Sequence, residues 1–165
     1  MVGLRIVTDS TADVPPELAS DLQIAVVPCQ VFWGEEVYRD GIDLAPRQFY
    51  ERLARSVDLP KTSQPPVRRF VETYRRLLDT EGSEEVISIH VAGNLSGTVN
   101  AAWTAAQAQT DPSRIEVIDS GQVSMGMGWA VIVAARMAQA GATRKDVGQA
   151  VHGMLPRLRA AAMID

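Results

Sequence analysis

Residues 85–108, EVISIHVAGNLSGTVNAAWTAAQA, have the pattern of a strand, a loop and a helix in direct succession. The segment from Glu85 to Val91 is rich in valine and isoleucine, which is typical of a strand buried on both faces. The loop AGNLSG follows, and the alanine-rich stretch from about Thr98 to Ala108 predicts a helix. A strand that leads through a short loop into a helix is the building unit of a parallel α/β sheet.

The same alternation recurs toward both ends of the chain. Leu4 to Thr8 predicts a first strand, and Pro15–Pro16 opens a helix that runs through Leu22. Ile115 to Asp119 predicts another strand; a Gly/Ala-rich helix follows it, and Thr143 is expected to cap a last helix. We therefore expect an α/β fold with a mainly parallel sheet flanked by helices on both faces.

The segments between these units add a hairpin and two helices. Ile24 to Trp33 predicts one strand, and the turn and second arm after it predict a β-hairpin near residues 24–40. Asp43 is expected to cap the next helix, which the proline-rich segment at residues 58–66 ends. The apolar positions of Val67–Leu78 recur at helical spacing and predict a helix with one buried face.

The composition is that of one ordered domain. The 165 residues are 46% hydrophobic and 22% charged, and we expect a single α/β domain over residues 1–165. A net charge of -4 offers no broad attraction for nucleic acid or for acidic membranes. The single cysteine, Cys29, lies in an apolar run and is expected to be a small buried hydrophobe. With only His90 and His152 as histidines, no metal site is expected.

The two ends of the chain carry predictions about location and completeness. The N-terminus lacks the pattern of a signal peptide. The apolar stretch from Ser124 to Ala140 is short and is interrupted by Arg136, so we expect a cytoplasmic protein without a membrane span. Ala162–Asp165 resembles the start of a strand, and we therefore expect a truncated architecture.

Hydroxyl side chains dominate the loops expected at one edge of the sheet. Parallel α/β sheets bind ligands beyond the carboxyl ends of their strands. Hydroxyls and free backbone amides at helix starts suit a carboxylate or phosphate, whereas acid–base catalysis needs a group that titrates near neutral pH. The pattern therefore favours a site that binds an anion over a catalytic site that transforms one. The loops concerned are Thr8–Thr11, Thr62–Pro65, Asn94–Thr98 and Asp119–Gly121.

Each of these residues also has an ordinary structural interpretation. Serine and threonine at helix starts most often serve as N-caps. The strongest candidate for a binding role is Ser96, because Gly97 after it allows close backbone approach and the helix N-terminus is electropositive. Asp9 and Asp119 are expected to accept hydrogen bonds from loop amides. His90 is expected to satisfy a loop carbonyl or to pack at the rim.

Six segments together resemble the DegV family: IVTDSTAD, VYRDGIDL, PKTSQP, ISIHVAGNLSGT, VIDS and SMGMG. The resemblance implies a two-lobed bacterial protein with a fatty acid between its lobes. This chain would be the N-terminal lobe, with the C-terminal lobe missing. In that family, hydroxyls of the TSQP and LSG motifs hold the fatty acid carboxylate, which implies Thr62 and Ser96 here. The supporting candidates are Ser63 and Gly97 beside them, and Ser10, Asp119 and Ser120 in the other two loops.

The implied function is that of a lipid carrier without catalytic activity. Some family members present a long-chain fatty acid to a kinase subunit that phosphorylates it, so both are implied partners, and no cofactor is implied. Ala92 and Gly93 depart from the family pattern, which usually has serines at these positions. That departure removes hydroxyls from the neighbourhood of the carboxylate.

Two other functions are compatible with parts of the sequence. Asp9-Ser10-Thr11 after a first strand resembles the nucleophile loop of haloacid-dehalogenase-like phosphatases. Such an enzyme also needs a lysine and a later acidic pair at another strand end to hold magnesium. Asp119-Ser120 offers only one acid, and Lys61 and Lys145 are the only lysines. The second alternative is an interaction module whose main role is docking to a kinase.

Overall fold

The computed structural model describes residues 3–159. It contains seven strands and six α-helices within this range. The strands are β1 (Leu4–Asp9), β2 (Ala25–Val27), β3 (Gln30–Trp33), β4 (Glu36–Arg39), β5 (Lys61–Ser63), β6 (Glu85–His90) and β7 (Ile115–Asp119). The helices are α1 (Pro16–Asp21), α2 (Pro46–Leu53), α3 (Val67–Arg75), α4 (Thr98–Gln107), α5 (Met125–Gln139) and α6 (Arg144–Met154).

Four parallel strands form the main sheet in the order β2-β1-β6-β7. Strand β1 lies in the interior, with Val7 beside Ser88 of β6 on one side and beside Ala25 of β2 on the other. At the carboxyl edge His90 lies beside Asp119, so the loops after β6 and β7 leave the sheet together. The α/β fold expected from the sequence is confirmed.

Helices cover both faces of the main sheet and bury two separate apolar cores. On one face α5 and α6 pack over Ile6, Ile87 and Ile118. On the other face α3 and α4 pack over Val7 and Val86. Because both faces are covered, the strands carry apolar residues at successive positions rather than in alternation.

A small antiparallel sheet in the order β4-β3-β5 adjoins the main sheet. The hairpin expected near residues 24–40 is present as β3 and β4, with Val31 paired to Tyr38. The prediction of one strand over Ile24–Trp33 is wrong, because the chain leaves the main sheet at Pro28 and enters the small sheet at Gln30. Proline has no N–H to donate to a sheet, and this favours a break at that residue.

Two local predictions need correction. Residues 61–63 form β5, although the sequence predicted only a helix-breaking segment there. Asp43 does not cap α2, because its carboxylate accepts hydrogen bonds from the backbone and guanidinium of Arg39. Ala45 is the N-cap residue, and its N–H is bonded to the side chain of Gln48.

The remaining helix predictions agree with the structure. Helix α3 continues into a π-helical turn over Arg76–Thr80, so its helical path extends slightly beyond Leu78. Thr143 caps α6, since its Oγ1 accepts a hydrogen bond from the N–H of Asp146. The strand start expected at Ala162–Asp165 lies outside the described residues. In the part of the chain that the structure describes, no helix combines the length and the apolar character needed to cross a membrane.

Candidate functional site

A cleft of about 610 Å³ lies between the carboxyl edge of the main sheet and the small sheet. We call it the hydroxyl cleft, because it brings together hydroxyls from three separate segments of the chain. Thr11 follows β1, Thr62 and Ser63 belong to β5, and Ser96 lies between β6 and α4. Its other lining residues are Asp13, Cys29, Val31, Asp40, Pro46, Phe49, Tyr50, Gln64, Val91, Leu95 and Gly97.

Strand β5 positions Thr62 at the cleft. Thr62 is paired with Val31 across the antiparallel ladder, and paired residues project to the same face of a sheet. Val31 is buried in the small apolar core, while Thr62 is exposed and lines the cleft beside it. A hydroxyl group at this position therefore stands next to an apolar wall.

The start of α4 positions Ser96 and Gly97. Ser96 Oγ lies 2.9 Å from Thr98 Oγ1 and accepts a hydrogen bond of 3.3 Å from the N–H of Thr98. A Cβ atom added to Gly97 would overlap the side-chain amide of Gln64, so this amide lies directly against the backbone of Gly97. The two motifs that the sequence singled out thus meet in one cleft.

A second cleft of about 570 Å³ adjoins the first through Asp13, Asp40 and Pro46. We call it the apolar cleft, because most of its exposed lining surface is carbon. Ser10 lines this second cleft rather than the first, and its Oγ accepts a hydrogen bond of 3.0 Å from the N–H of Cys29. Its apolar lining residues are Ala12, Val14, Pro15, Pro16, Ala19, Ile24, Val26, Pro28, Ile42 and Pro46.

Asp9 is a fully buried carboxylate with four hydrogen-bond donors around it. The N–H and hydroxyl of Thr11 donate to Oδ1, while Val91 N–H and His90 Nδ1 contact Oδ2. Burial raises the pKa of Asp9, but the hydrogen bond and charge of His90 and the bonds from Thr11 and Val91 outweigh it and hold that pKa below its ordinary value.

This saturation of Asp9 argues against a nucleophilic role. A carboxylate offers about four lone-pair sites, and the four donors occupy them. No group of three or more potential metal-ligating side chains occurs among residues 3–159. The phosphatase alternative requires a carboxylate free to attack phosphorus, which the geometry of Asp9 does not provide.

His90 is more deeply buried than the sequence indicated. The expectation that it contacts a loop carbonyl or packs at the rim is wrong, because its ring is 0% exposed and its two nitrogens contact the side chains of Asp9 and Ser88. Its Nδ1 lies 2.9 Å from Asp9 Oδ2, and its Nε2 lies 2.6 Å from Ser88 Oγ. The Phe70 ring packs against it edge-on at 5.0 Å between centroids. One sequence signal was available: Ser88 and His90 are two polar residues on the same face of a buried strand.

Asp119 and Ser120 line neither cleft. Asp119 accepts hydrogen bonds from the N–H groups of Gly93 and Gly121, as expected for a residue that orders loop amides. Ser120 is buried, and its hydroxyl bonds to the backbone of Gln122. Asp119 thus joins the loops after β6 and β7, whereas Ser120 is engaged within the turn after β7.

Cys29 is buried, as its apolar surroundings predicted, and lies against the hydroxyl cleft. Burial and the negative charge of Asp9 raise the pKa of its thiol to about 12. The thiol therefore stays protonated at neutral pH and behaves as part of an apolar wall.

The apolar walls of the hydroxyl cleft were missed at the sequence level. Phe49 and Tyr50 come from α2, and Val91 and Leu95 come from the loop after β6. Tyr50 and Leu95 are 67% and 68% exposed, so two large side chains with apolar surface in the lining of this cleft are open to solvent. In the sequence, Phe49 and Leu53 recur at helical spacing, and this pattern carries no information about a cleft.

The fold and the cleft together define a class: an α/β protein in which a small antiparallel sheet meets the carboxyl edge of a parallel sheet at a hydroxyl-lined cleft. The chain belongs to the DegV family, since the family model described as an uncharacterised protein of the DegV family matches residues 3–165. A DegV domain-containing protein of Deinococcus radiodurans is 36% identical over 156 residues, which cover 94% of this chain and 54% of that protein. Protein DegV of Bacillus subtilis is 34% identical, over 99% of this chain and 58% of its own length.

Solved structures of the family have the same fold. DegV of Bacillus subtilis, described as a fatty acid binding protein, superposes with a TM-score of 0.85 at 33% identity, over 93% of this chain and 54% of that one. A DegV family protein of Thermus thermophilus, described for its fatty acid binding, superposes with a TM-score of 0.83 at 33% identity, over 93% of this chain and 53% of that one. A stearic acid-binding protein of Eubacterium ventriosum superposes with a TM-score of 0.81 at 27% identity, over 90% of this chain and 52% of that one. The chain thus spans about half the length of the relatives it matches.

Proposed function

We propose that this chain binds a long-chain fatty acid and holds its carboxylate in the hydroxyl cleft. Thr62 and Ser96 are the principal donors, with Ser63 and Gly97 beside them. The observation that carries the proposal is the meeting of these residues, from two segments more than thirty positions apart, in one cleft with apolar walls.

The chemistry of the cleft suits a carboxylate joined to a hydrocarbon chain. Hydroxyl groups donate to carboxylate oxygens, and the N-terminus of α4 behind Ser96 has a partial positive charge. Val31, Phe49 and Tyr50 line the same cleft, where methylene groups would leave water at about 0.8 kcal/mol each. Ser10 supports the wall indirectly, because it holds the backbone of Cys29.

The relatives support this ligand class. Several family members of similar fold are described as fatty acid binding proteins, and one is described as binding stearic acid. We propose on this basis that the chain acts as a carrier rather than an enzyme, without a cofactor. The proposal includes presentation of the bound fatty acid to a fatty acid kinase subunit in the cytoplasm.

The domain organisation is part of the same proposal. Residues 1–165 would form a single α/β domain that corresponds to one lobe of a two-lobed protein. The second lobe would then supply the remaining wall around the hydrocarbon chain. This arrangement agrees with the half-length match to relatives.

The test is to identify the lipid that copurifies with the protein. Purified chain is denatured and extracted, and fatty acids are quantified by mass spectrometry for the wild type and for Thr62→Ala/Ser96→Ala. We expect a long-chain fatty acid in the wild type and about a tenfold or greater loss in the double variant, since each lost hydrogen bond to a charged group costs about 1.5–3 kcal/mol.

Thr80→Ala/Thr104→Ala is the matched control, because both threonines are exposed and neither lines the hydroxyl cleft. This variant should retain the lipid content of the wild type. Equal lipid content in the double cleft variant, at unchanged folding stability, would rule out Thr62 and Ser96 as carboxylate ligands. The absence of fatty acid from the wild type, even after incubation with oleate, would contradict the proposed ligand.

A further inference from the structure

Four buried polar side chains form a continuous line of hydrogen bonds, and its Asp9 end is bonded to Thr11 and Val91 of the hydroxyl cleft. The Tyr74 hydroxyl donates to Ser88 Oγ at 2.8 Å, Ser88 Oγ lies 2.6 Å from His90 Nε2, and His90 Nδ1 lies 2.9 Å from Asp9 Oδ2. All four residues are fully buried. We call this line the Asp9–Tyr74 network.

The Asp9 end of this network is bonded to two loops that line the hydroxyl cleft. Oδ1 accepts the Thr11 N–H at 3.0 Å and the Thr11 hydroxyl, while Oδ2 accepts the Val91 N–H at 3.2 Å. Thr11 and Val91 both line the hydroxyl cleft, although they belong to loops after different strands. One carboxylate therefore sets the distance between these loops.

A purely stabilising role accounts poorly for this arrangement. Removing a carboxylate and an imidazole from water costs several kcal/mol, and apolar residues of similar volume would often serve stability as well. By contrast, directional hydrogen bonds to a carboxylate whose acceptor sites are all occupied restrict the motion of the loops that they join. The loop that begins at Val91 runs directly to Ser96.

We propose that Asp9 and His90 are positioning residues for the fatty acid carboxylate. Asp9 fixes the loops that carry Thr11 and Ser96, and His90 fixes Asp9 in the orientation that reaches both loops. Ser88 and Tyr74 in turn hold the imidazole ring. This inference rests on the proposed function, because it concerns the same cleft.

The test measures the affinity of delipidated protein for oleate, by isothermal titration, together with the thermal stability of each variant. Asp9→Asn leaves one oxygen for two backbone N–H groups, and we expect oleate binding about tenfold weaker. His90→Ala should weaken binding similarly. His90→Asn, whose amide can still donate to Asp9, should recover most of the affinity.

Substitutions at Thr11 test the proposal without disturbing the core, because this side chain is only half-buried. Thr11→Val removes only the hydroxyl donor to Asp9 and should weaken binding several-fold, while Thr11→Ser, which keeps the hydroxyl, should recover most of the affinity that Thr11→Val loses. Ser83→Ala is the control, because Ser83 is a buried hydroxyl with no hydrogen-bond partner in the described part of the chain and lies outside the cleft. It should leave the affinity unchanged.

A double-mutant cycle separates positioning from general destabilisation. If Asp9 acts through the loop of Ser96, Thr11→Val should weaken binding less in a Ser96→Ala background than in the wild type. Variants that lose stability but bind oleate within twofold of the wild type would overturn the positioning role. Failure of the wild type itself to bind oleate would instead overturn the proposed function, so the two failures are distinguishable.

Discussion

Gly128 illustrates how a single residue sets the geometry around the cleft. This glycine is buried in α5, and a Cβ atom there would overlap the backbone carbonyl oxygen of Ala12. Ala12 ends the short 3-10 turn Ser10–Ala12, which carries Thr11 into the hydroxyl cleft. A methyl group on α5 would therefore displace the turn that Asp9 orders.

We predict that Gly128→Ala lowers the free energy of unfolding by about 1–3 kcal/mol, because the clash is with backbone that cannot rotate away. Gly153→Ala is the matched control: it lies on α6 with open space around its Cβ position, and it should gain up to about 1 kcal/mol. Denaturant unfolding monitored by circular dichroism measures both. Equal stability of Gly128→Ala and the wild type would show that α5 does not pack this closely on the turn.

At the scale of elements, the two sheets differ greatly in the size of the core that supports them. The main sheet is covered by two large apolar cores, whereas the small sheet rests on Val31, Trp33 and Leu44 with a few partly buried neighbours. Trp33 is held by an edge-on contact with Phe49 and by a hydrogen bond from its Nε1 to Ser56. Helix α2 itself has no fully buried residue.

We predict that the small sheet opens before the main sheet. Amides of β3 and β5 should exchange with deuterium through local opening, at lower free energy than amides of β1 and β6, because less apolar surface is exposed when they open. Hydrogen exchange followed by mass spectrometry can measure this difference. If all of these strands exchanged at one common free energy, the small sheet would be an integral part of the main core.

The elements also differ in how far the sequence predicted them. Strands β6 and β7 and helix α4 were predicted almost to the residue, because local apolar pattern and alanine content mark them. Strand β5 was missed, because its residues Lys61–Ser63 are all polar and exposed, and only their pairing with β3 makes them a strand. Pro28 is a sequence signal for the end of β2, but no feature of the sequence indicated that the next strand belongs to a second sheet.

At the scale of the molecule, the two adjoining clefts leave a set of large apolar side chains in contact with solvent. Ile42, Tyr50 and Leu95 are between 59% and 68% exposed, and each lines one of the clefts. A hydrocarbon chain lying here would be covered on one side. The half-length match to the relatives supports the proposal that a second lobe covers the other side.

We predict that the 165-residue chain binds oleate more weakly than full-length DegV of Bacillus subtilis. Four methylene groups left in water would cost about 3 kcal/mol, which corresponds to a roughly two-hundredfold difference in dissociation constant. Isothermal titration of both proteins with oleate, under the same conditions, measures this ratio. Equal affinity would mean that these residues alone enclose the ligand.

The sequence by itself determined the α/β class, most elements of the main sheet and the family, because apolar periodicity, caps and motifs are local properties of the chain. It also singled out Thr62 and Ser96 as candidates, since hydroxyl-rich loops stand out in sequence. Only the tertiary structure decided that these residues share a cleft with Phe49 and Tyr50, and that His90 contacts Asp9 across 81 positions of sequence. Such contacts depend on sheet order and strand pairing, which join residues that no local pattern relates.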